Sequence, residues 1–414
     1  GDPLLFQQRT KAMKPGRAVI VGGSVAGVFA GNMLVQRGWQ VDILERAVDA
    51  LVSRGTGIGR HDELEALLAE LGLPPGDDAG IVVDGRTGFD HTGRLFYEYA
   101  YWQRLTAWNK VFQPLYDAFP RAYYHNGATV TAIEQDKGGA AARTADGRTF
   151  EGDIVIGADG FGSVVRATVA PDKVPEYAGY VAWRGINDST DLSADFVANR
   201  ERLYAYVFVK KGQFIGYPLT GLDGTTDVTT RRYNYLWYYP MDDDALANVL
   251  TDADGVVHDY GIPPAKLRPE PVAAMKEDAY RYVPDNFIEL VERAHTTMVQ
   301  PIYEVDCERM VYDNVVLIGD AAHVVRPHVG TGVLKAGQDA RALAGALEAG
   351  NTLTDALAQF EAARLDYNRF LAARSKLLGS YIERRLDDPA DDPSLELTRE
   401  RIMRISGRPP PPGL

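Results

Sequence analysis

The sequence predicts an α/β protein that combines a parallel strand–helix–strand unit with a separate antiparallel sheet and a helical C-terminal region. Three observations predict this fold class. An apolar run with spaced glycines begins at Ala18, aromatic and β-branched residues dominate residues 179–240, and a helical pattern fills residues 334–386. With 414 residues, the chain is long enough for two domains.

The first element is a βαβ unit. The cluster Ala18-Val19-Ile20-Val21 predicts a buried strand, the glycines that follow predict a turn and a closely packed helix, and residues 41–45 predict a second strand. Such a connection makes the two strands parallel, with a right-handed crossover. Residues 18–35 are almost long enough to cross a membrane, but their glycines and β-type start favour the βαβ interpretation.

The remaining elements follow from periodicity and from helix-breaking residues. In chain order they are a helix capped by Asp62 and ended by Gly72 and Pro74, a helix over 106–119, strands over 128–135 and 148–156, several antiparallel strands within 179–240, a strand region over 303–318, helices over 334–386, and a tail over 387–414 that wraps the surface or frays.

The composition is that of an ordinary globular protein, and it excludes several function classes. Hydrophobic residues make up 45% and charged residues 24% of the chain, which excludes a disordered protein, a collagen and a coiled coil. The formal net charge of −13 disfavours nucleic acid and anionic membranes as partners. The single cysteine, Cys307, excludes an intramolecular disulfide and predicts a reducing, cytoplasmic location. The histidines lack metal-ligand spacing, so no metal site is predicted.

The first motif is the glycine loop Gly22-Gly23-Ser24-Val25-Ala26-Gly27. Gly22 allows a tight turn, Gly27 allows close packing of helix and strand, and Ser24 replaces the middle glycine of G-x-G-x-x-G. Backbone N–H groups at the start of the helix would then face a pyrophosphate. Glu45 ends the second strand about 20 residues later, where a carboxylate can bind a ribose. The alternative is a glycine turn with an unrelated surface carboxylate.

Two later motifs offer similar chemistry. Asp159-Gly160 follows an apolar strand, and Ser163 can cap the next helix, so this segment either meets a nucleotide or is an ordinary strand–turn–helix. Gly319-Asp320 ends another strand, where a carboxylate can accept hydrogen bonds from a polyol. Gly330 and Gly332 then expose backbone N–H groups before a helix, which favours negative charge such as that of a reduced flavin.

In this order, the three motifs resemble those of the flavoprotein aromatic hydroxylases with a single FAD-binding domain, the p-hydroxybenzoate hydroxylase fold. The resemblance extends from Ala18 to about Leu386. It implies a discontinuous, Rossmann-like FAD-binding domain over residues 14–177 and 300–386. It also implies an antiparallel-sheet substrate domain over 178–299, with C-terminal helices and the tail over 387–414.

The resemblance also implies how FAD would be held. Glu45 would bind the adenosine ribose, Arg104 would lie near the pyrophosphate, and Asp320 would bind the ribityl chain. Pro327 and the glycines that follow it would lie against the isoalloxazine. The full set of cofactor-binding residues is predicted to be Gly22, Ser24, Val25, Ala26, Gly27, Glu45, Arg46, Arg104, Asp159, Asp320, Pro327, Gly330, Thr331, Gly332 and Val333.

The sequence departs from the family at one position. Many members carry Asn two residues after the second glycine of the C-terminal loop, where this chain has Leu334, followed by Lys335. Together with Gly22-Gly23-Ser24, Arg54–Ile58 and Arg326-Pro327-His328, this departure is more similar to the 2,6-dihydroxypyridine 3-hydroxylase subgroup than to the benzoate hydroxylases.

The activity that the resemblance implies is that of an FAD-dependent monooxygenase. FAD would bind non-covalently, and NADH or NADPH would bind transiently. Oxygen would form a flavin C4a-hydroperoxide that hydroxylates an electron-rich aromatic or N-heteroaromatic substrate. The partners would be small molecules and O2, and the protein itself is a candidate homodimer. Two alternatives stay open: a flavoenzyme of the same fold that does not insert oxygen, such as a reductase or oxidase, and a non-catalytic flavin-binding regulatory protein.

Five residues are the candidates for catalysis and substrate binding. His328 is either a base for a ring hydroxyl or a structural residue of its loop, and Tyr217 is the second candidate base. Trp183, Trp237 and Tyr217 would line an aromatic pocket, although aromatic residues in strands more often belong to the core. Arg184 would hold an anionic substrate or form a salt bridge.

Overall fold

A computed structural model describes residues 13–48, 57–74, 76, 80–221 and 224–410. Residues 54–56 of the subgroup pattern lie outside these ranges. Among the helices of these ranges, none combines the length and the apolarity that a membrane crossing requires.

The described strands form three sheets. In chain order they are β1 (Arg17–Val21), β2 (Gln40–Glu45), β3 (Gly57–Arg60), β4 (Ile81–Phe89), β5 (Leu95–Ala107), β6 (Tyr124–Asn126), β7 (Val130–Asp136), β8 (Gly139–Thr144), β9 (Thr149–Gly152), β10 (Ile154–Gly157), β11 (Glu176–Asp188), β12 (Tyr204–Val207), β13 (Gln213–Leu219), β14 (Arg232–Pro240), β15 (Thr296–Asp306), β16 (Val311–Tyr312), β17 (Val315–Leu317) and β18 (His323–Val324).

The helices cover the faces of these sheets. In chain order they are α1 (Val25–Gln36), α2 (Asp62–Glu70), α3 (Asn109–Ala118), α4 (Val164–Val169), α5 (Ala194–Asn199), α6 (Asp243–Val249), α7 (Pro269–Tyr282), α8 (Asp285–Glu292), α9 (Gly332–Ala349), α10 (Leu353–Glu383) and α11 (Arg399–Ile405).

The six-stranded sheet has the order β16-β17-β10-β1-β2-β6 and is parallel except at the β16 edge. The predicted βαβ unit is therefore confirmed as β1, α1 and β2, with Val21 opposite Leu44. The carboxyl ends of parallel strands meet at one edge of a sheet. That edge brings together the residues that follow β1, β2, β10 and β17, which are those of the three sequence motifs.

The nine-stranded sheet has the order β18-β15-β11-β14-β13-β12-β4-β5-β3. It is antiparallel apart from the β4–β12 pair, so the antiparallel strands predicted within residues 179–240 are confirmed as β11 to β14. The sheet also includes β3, β4 and β5, which lie within residues 14–177, the first part of the FAD-binding domain that the resemblance implies. The division of the chain into domains stays a prediction.

The nine-stranded sheet has two faces with different surroundings. The far face carries Trp183, Phe214, Tyr233 and Trp237, and it packs against α6, α7 and α8 in a hydrophobic core. The cleft face carries Arg184, Gln213, Tyr217 and Tyr238, which line a cavity instead. A separate core holds α1, α3 and α9 against the six-stranded sheet.

Three element boundaries differ from the sequence prediction. The helix predicted over 106–119 begins at Asn109, because Thr106 and Ala107 still pair with β3. His61, rather than Asp62, is the N-cap of α2. The strand predicted over 148–156 is two strands, separated by Asp153, whose carboxylate accepts a hydrogen bond from the Arg17 N–H at 2.7 Å.

Two further regions are also more structured than predicted. The strand region over 303–318 comprises the end of β15 followed by β16 and β17. The tail contains α11, with Ile402 and Met403 buried against the sheet. Arg86 fixes this segment by donating hydrogen bonds to the carbonyl oxygens of Met403 at 2.7 Å and Ser406 at 2.5 Å.

Candidate functional site

The glycine loop forms the tight turn that the sequence predicts. Gly22 has φ of 101°, and a Cβ there would lie 2.4 Å from the carbonyl oxygen of Ala158. A Cβ on Gly27 would lie 1.9 Å from the carbonyl oxygen of Gly22. Only glycine fits at either position, so the N-terminus of α1 is held close to β1 and β10. Ser24 is the N-cap of α1 but makes no side-chain capping bond.

Glu45 is buried at the end of β2 and faces the glycine loop. Its carboxylate accepts hydrogen bonds from the N–H groups of Gly23 at 2.9 Å and Ala47 at 2.8 Å. Tyr124 supports the same loop by donating to the Gly23 carbonyl at 2.9 Å. Each carboxylate oxygen has a second lone pair, so Glu45 can still accept hydrogen bonds from a ribose. Arg46, the next residue, is exposed.

The carboxylate of the second motif is already hydrogen-bonded by residues of the turn that follows it. The Asp159 carboxylate accepts hydrogen bonds from the Ser163 hydroxyl at 2.5 Å and from the Val164 N–H at 2.7 Å. Ser163 in turn caps α4, as predicted. Arg166 then donates to the carbonyl oxygens of Asp320 at 3.3 Å and Ala321 at 3.0 Å. The second motif therefore supports the third, and the role of Asp159 toward FAD stays a prediction.

The third motif is held by residues that sequence reasoning missed. The Gly319 N–H donates to the Asp339 carboxylate at 2.9 Å, and Arg364 donates to the same carboxylate at 2.8 Å. Asp320 itself keeps 51% of its side chain exposed, and its carboxylate lies 3.8 Å from the buried ammonium of Lys335. Although half of its side chain is exposed, the surrounding protein of the cleft desolvates the carboxylate and raises the pKa of Asp320, while the charge of Lys335 lowers it. The sequence feature that could have indicated this contact is Asp339 itself, an acidic residue within the helical region predicted over 334–386.

The loop before α9 ends in an open helix terminus. Gly330 adopts a left-handed conformation with φ of 58°, and a Cβ on Gly332 would meet no atom within 4 Å. The first N–H groups of a helix have no acceptor within the helix. The buried Thr331 hydroxyl has no hydrogen-bond partner in the described part of the chain. This end of α9, including Val333, therefore presents donors to the cleft that Gly330 and Gly332 line.

The cleft has a volume of about 460 Å3 and lies between the cleft face of the sheet and this loop. Arg184 is 9% exposed in it and donates to the Gln300 side chain at 2.9 Å. Within the described ranges, Arg184 forms no ion pair with a carboxylate. Burial raises the pKa of Tyr217, and the nearby Arg184 lowers it by a smaller amount. Gln213 and Gln300 belong to this site and were missed, although alternation with Tyr217 indicates Gln213.

The two predicted tryptophans are not brought to the cleft. Trp183 and Trp237 lie opposite each other on the far face, at 1% and 0% exposure. The Trp237 indole N–H donates to the Lys211 carbonyl at 2.8 Å. Because side chains alternate along a strand, Trp183 must point away from the cleft if Arg184 points into it. The same alternation separates Trp237 from Tyr238.

His328 lies in the cleft wall and is mostly buried. Its Nε2 lies 2.8 Å from the Tyr180 hydroxyl, and its ring centroid lies 4.1 Å from that of Tyr238. Burial, together with the charge of Arg326, lowers the pKa of His328 to about 3. The imidazole is therefore neutral near pH 7 and is a weak proton acceptor. Its predicted role as a base stays a prediction, as does the same role for Tyr217.

Two loop contacts close this end of the cleft. Pro327 begins a single 3-10 turn, and the Gly407 N–H donates to the His328 carbonyl at 2.8 Å. Ser406 and Gly407 thus line the cleft, a role for the tail that its composition did not indicate. Arg104 lies half-buried on β5, with its guanidinium 5.8 Å from the Trp102 ring, and its predicted role at the pyrophosphate stays a prediction.

Comparisons with known proteins agree with this geometry. A model of FAD binding domain-like proteins matches residues 177–304, and a model of the FAD binding domain matches residues 268–374. The 2,6-dihydroxypyridine 3-monooxygenase of Paenarthrobacter nicotinovorans is 31% identical over 89% of this chain and 91% of its own. The chain belongs to the FAD-dependent aromatic hydroxylases.

Solved structures give the same result for the fold. The 2,6-dihydroxypyridine-3-hydroxylase from Arthrobacter nicotinovorans superimposes with a TM-score of 0.84 at 29% identity, over 90% of this chain and 94% of that one. HpxO from Klebsiella pneumoniae, complexed with FAD and uric acid, shares the fold with a TM-score of 0.71 at 21% identity, over 94% and 95% of the two chains. The predicted fold class and family are confirmed, and the protein is an FAD-dependent monooxygenase that uses NAD(P)H and O2.

The described residues fit FAD. The Gly22–Gly27 turn leaves no room for a Cβ and opens the N-terminus of α1, where a pyrophosphate is favoured. Glu45 has lone pairs left for a ribose, and Asp320 has an accessible carboxylate for a polyol chain. The unpartnered Thr331 hydroxyl and the first turn of α9 offer donors to an electron-rich ring edge.

Proposed function

We propose that this monooxygenase hydroxylates a small, electron-rich aromatic or N-heteroaromatic ring that binds as an anion beside Arg184. The observation that carries the proposal is a buried arginine in the cleft that has no carboxylate partner among the described residues. A buried charge is costly unless it is paired. An anionic substrate would supply that missing partner. Bound FAD, once reduced by NAD(P)H, supplies the activation of O2 and the transfer of one oxygen atom.

Arg184 would also activate the substrate. A positive charge close to a hydroxyl group lowers its pKa, so a ring hydroxyl next to the guanidinium would lose its proton more easily. The resulting oxyanion donates electron density to the ring and makes a ring carbon more nucleophilic. Arg184, rather than a side-chain base, would therefore supply much of the activation.

His328 and Tyr217 would then bind and orient the ring. Tyr217 is protonated at neutral pH, because burial raises its pKa, so it can donate a hydrogen bond to an oxyanion. His328 is neutral and held at 2.8 Å by Tyr180, so it can exchange a hydrogen bond with a ring substituent. Apolar and phenolic side chains make up much of the remaining cleft wall, among them Ile215, Leu236 and Tyr238, and they keep water from that side of the ring.

The 2,6-dihydroxypyridine relatives support this class of substrate, because hydroxylated pyridines ionise readily. The 3-hydroxybenzoate 6-hydroxylase of Klebsiella oxytoca is 26% identical over 84% of this chain. Its name describes a substrate that also carries a hydroxyl group and an acidic group. Both relatives are consistent with an anion beside an arginine, and family membership favours oxygen insertion over the reductase and regulatory alternatives.

Two expectations about the protein's surroundings belong to the proposal. The buried thiol of Cys307, whose pKa burial raises to about 11, supports a reducing compartment such as the cytoplasm. We also propose a homodimer, which light scattering at several protein concentrations can check.

The test is a substrate-stimulated NAD(P)H oxidation assay with product analysis. Arg184→Met should raise the KM for an ionised hydroxypyridine or hydroxybenzoate by about 10- to 100-fold, because a charged hydrogen bond contributes about 1.5–3 kcal/mol. Arg184→Lys should recover part of the loss, because it keeps the charge. Arg143→Met, the same change at an exposed arginine of β8, is the matched control.

Two results would contradict the proposal. In the first, Arg184→Met retains the wild-type KM for every anionic substrate that the wild-type enzyme hydroxylates. In the second, neutral rings without an ionisable group are hydroxylated as efficiently as ionised ones. Either result would mean that the substrate does not bind as an anion beside Arg184.

A further inference from the structure

A second cavity of about 630 Å3 lies beside the cleft and has no role in the site described so far. It is formed by β3, β5, α10 and the C-terminal segment. We name it the arginine pocket, after the side chains that define it: Arg374, Arg404, Arg408, Tyr99, Tyr101 and Trp102.

The three arginines of this pocket lack acidic partners. None of them forms an ion pair with a carboxylate of the described residues. The Nη1 of Arg374 is buried without a hydrogen-bond partner. Arg408 donates to the Tyr99 hydroxyl at 2.6 Å, a neutral group that leaves its charge uncompensated. The pKa of Arg374 is lowered by burial and by the neighbouring charge of Arg408, as expected where positive charges converge.

The opposite wall of the pocket carries the remaining charges. Arg60 is already occupied by Glu65, through two hydrogen bonds of 2.5 and 2.8 Å. Asp62 and Glu63 are exposed at the start of α2 and would repel an anion on that side. An anion is therefore favoured on the side of α10 and α11, while the carboxylates can accept hydrogen bonds from hydroxyl groups.

The arginine pocket also offers an aromatic surface. Trp102 is 49% exposed, which is unusual for so large an apolar side chain. Tyr99 and Tyr101 stack on each other, with ring centroids 6.3 Å apart. Flat aromatic surfaces of this kind bind the faces of bases. Phosphate-binding cations, hydroxyl-accepting carboxylates and an exposed indole together match the parts of a dinucleotide.

The arginine pocket shares a wall with the cleft. Gly59 lines the cleft, whereas the next residues, Arg60 and His61, line the pocket. On the other side of the wall, Gly407 lines the cleft and Arg408 lines the pocket. The His61 ring lies 3.2 Å from the carbonyl oxygen of Gly330, in the loop before α9. A long ligand held in the pocket would therefore lie next to the loop that borders the FAD site.

We propose that the arginine pocket binds the phosphate groups of the nicotinamide dinucleotide co-substrate. The proposal rests on NAD(P)H being the reductant in the proposed function. Guanidinium groups bind phosphates through paired, charge-assisted hydrogen bonds. Arg404 and Arg408 hold the phosphates from the C-terminal segment, and Arg374 holds them from α10. Trp102 stacks on the adenine.

The experiment uses the full-length, FAD-loaded enzyme. The double variant Arg404→Gln/Arg408→Gln and the single variant Arg374→Gln remove pocket charges. Arg369→Gln is the matched control, because this exposed arginine of α10 lies outside the pocket and contacts the Glu308 carbonyl. Isothermal titration with ADP-ribose, which cannot transfer hydride, measures binding without turnover. Anaerobic stopped-flow reduction gives the NADH and NADPH concentrations needed for half-maximal rate.

The double variant should bind ADP-ribose about tenfold more weakly or worse, because it removes two guanidinium groups that make charge-assisted hydrogen bonds to the phosphates. The concentration of NADH or NADPH for half-maximal reduction should rise by the same factor, and Arg369→Gln should stay within about twofold of the wild type. FAD content and thermal midpoint, measured for each variant, confirm that it is folded.

Three results would overturn the proposal. In the first, the wild type is reduced normally and the double variant binds ADP-ribose as tightly as the wild type, so the pocket is not the phosphate site. In the second, Arg369→Gln weakens binding equally, so the effect is one of overall charge. In the third, neither nucleotide reduces the wild type, so the reductant itself is wrong and the failure belongs to the proposed function.

Discussion

The far face and the cleft face of the nine-stranded sheet are built from the same kinds of residue, yet only the cleft face borders the loop before α9 and the candidate site. Both faces are rich in aromatic side chains, and Trp183 is adjacent in sequence to Arg184. The far face is covered by α6, α7 and α8, and its tryptophans are buried core residues. The cleft face is covered by the loop before α9 and by the tail, which leave a cavity of about 460 Å3.

The comparison teaches that what packs over a strand decides the role of its side chains. An aromatic residue under a helix contributes to stability through buried area and packing. The same residue under a loop with open N–H groups can contact a ligand. Substitutions on the two faces should therefore affect different measurements, and the following predictions test this from the largest expected effect to the smallest.

The largest effect is expected from Trp237→Ala on the far face. Truncation of a fully buried tryptophan should lower the free energy of unfolding by about 3–5 kcal/mol, because it leaves a cavity. It also leaves the Lys211 carbonyl without its indole donor. The KM for substrate should change little in the fraction that stays folded. Denaturant unfolding followed by tyrosine and tryptophan fluorescence measures the loss.

Arg184→Met is the corresponding substitution on the cleft face, and it should have the opposite pattern of effects. It should alter substrate KM strongly and the free energy of unfolding by less than about 1 kcal/mol, because removing an unpaired buried charge costs little. A Trp237→Ala enzyme with wild-type stability and a large rise in KM would contradict the division between the two faces.

Acid should lower the free energy of unfolding through the buried His328 of the cleft wall. The pKa of His328 is lowered to about 3 in the folded protein, so the unfolded chain binds its proton first as pH falls below about 6.5. Stability that this residue contributes is present above pH 6.5 and is lost as pH falls from there toward 3. Between pH 8 and pH 5 the loss should be about 2 kcal/mol. His323, whose pKa is lowered to about 4, acts in the same direction.

His328→Gln isolates the contribution of that residue. The variant should lose less unfolding free energy than the wild type between pH 8 and pH 5, with a difference of about 2 kcal/mol. Denaturant unfolding at the two pH values measures it. Parallel curves for wild type and variant would mean that His328 has the same pKa in the folded and unfolded protein, contrary to its burial in the cleft wall.

Much of the fold could be predicted because local signals were strong. The Gly22–Gly27 turn, the strand that ends at Glu45 and the left-handed glycine before α9 all depend on neighbouring residues. Backbone sterics at these positions allow few alternatives. The strands β3, β4 and β5 lacked such signals, and β4 joins the nine-stranded sheet by pairing with β12, more than 100 positions away.

The substrate site was harder to predict than the FAD site. Alternation places Trp183 and Arg184 on opposite faces, but sequence alone does not say which face is sealed by helices. Asp339 and Gln300 act through contacts that the chain brings together from distant segments. The tail gave no sign of its role, because the segment that brings Ser406 and Gly407 to the cleft is held by hydrogen bonds from Arg86, which is distant in the sequence.

The smallest expected effect offers the most direct comparison, because one chemical change can be made on both faces. Tyr233→Phe removes a hydroxyl that donates to the Leu203 carbonyl at 2.9 Å on the far face. It should cost about 1 kcal/mol of unfolding free energy and leave substrate binding unchanged. Tyr217→Phe removes a hydroxyl of the cleft face beside Arg184 and should leave stability almost unchanged. If Tyr217 donates to a substrate oxyanion, its loss should weaken substrate binding by about 3- to 10-fold. Denaturant unfolding gives the free energy of unfolding of each variant, and substrate titration gives its affinity for substrate. The division between the faces holds only if Tyr233→Phe changes the free energy of unfolding alone and Tyr217→Phe changes substrate affinity alone. A change in both quantities for Tyr233→Phe would mean that the sheet transmits packing changes from the far face to the ligand on the cleft face.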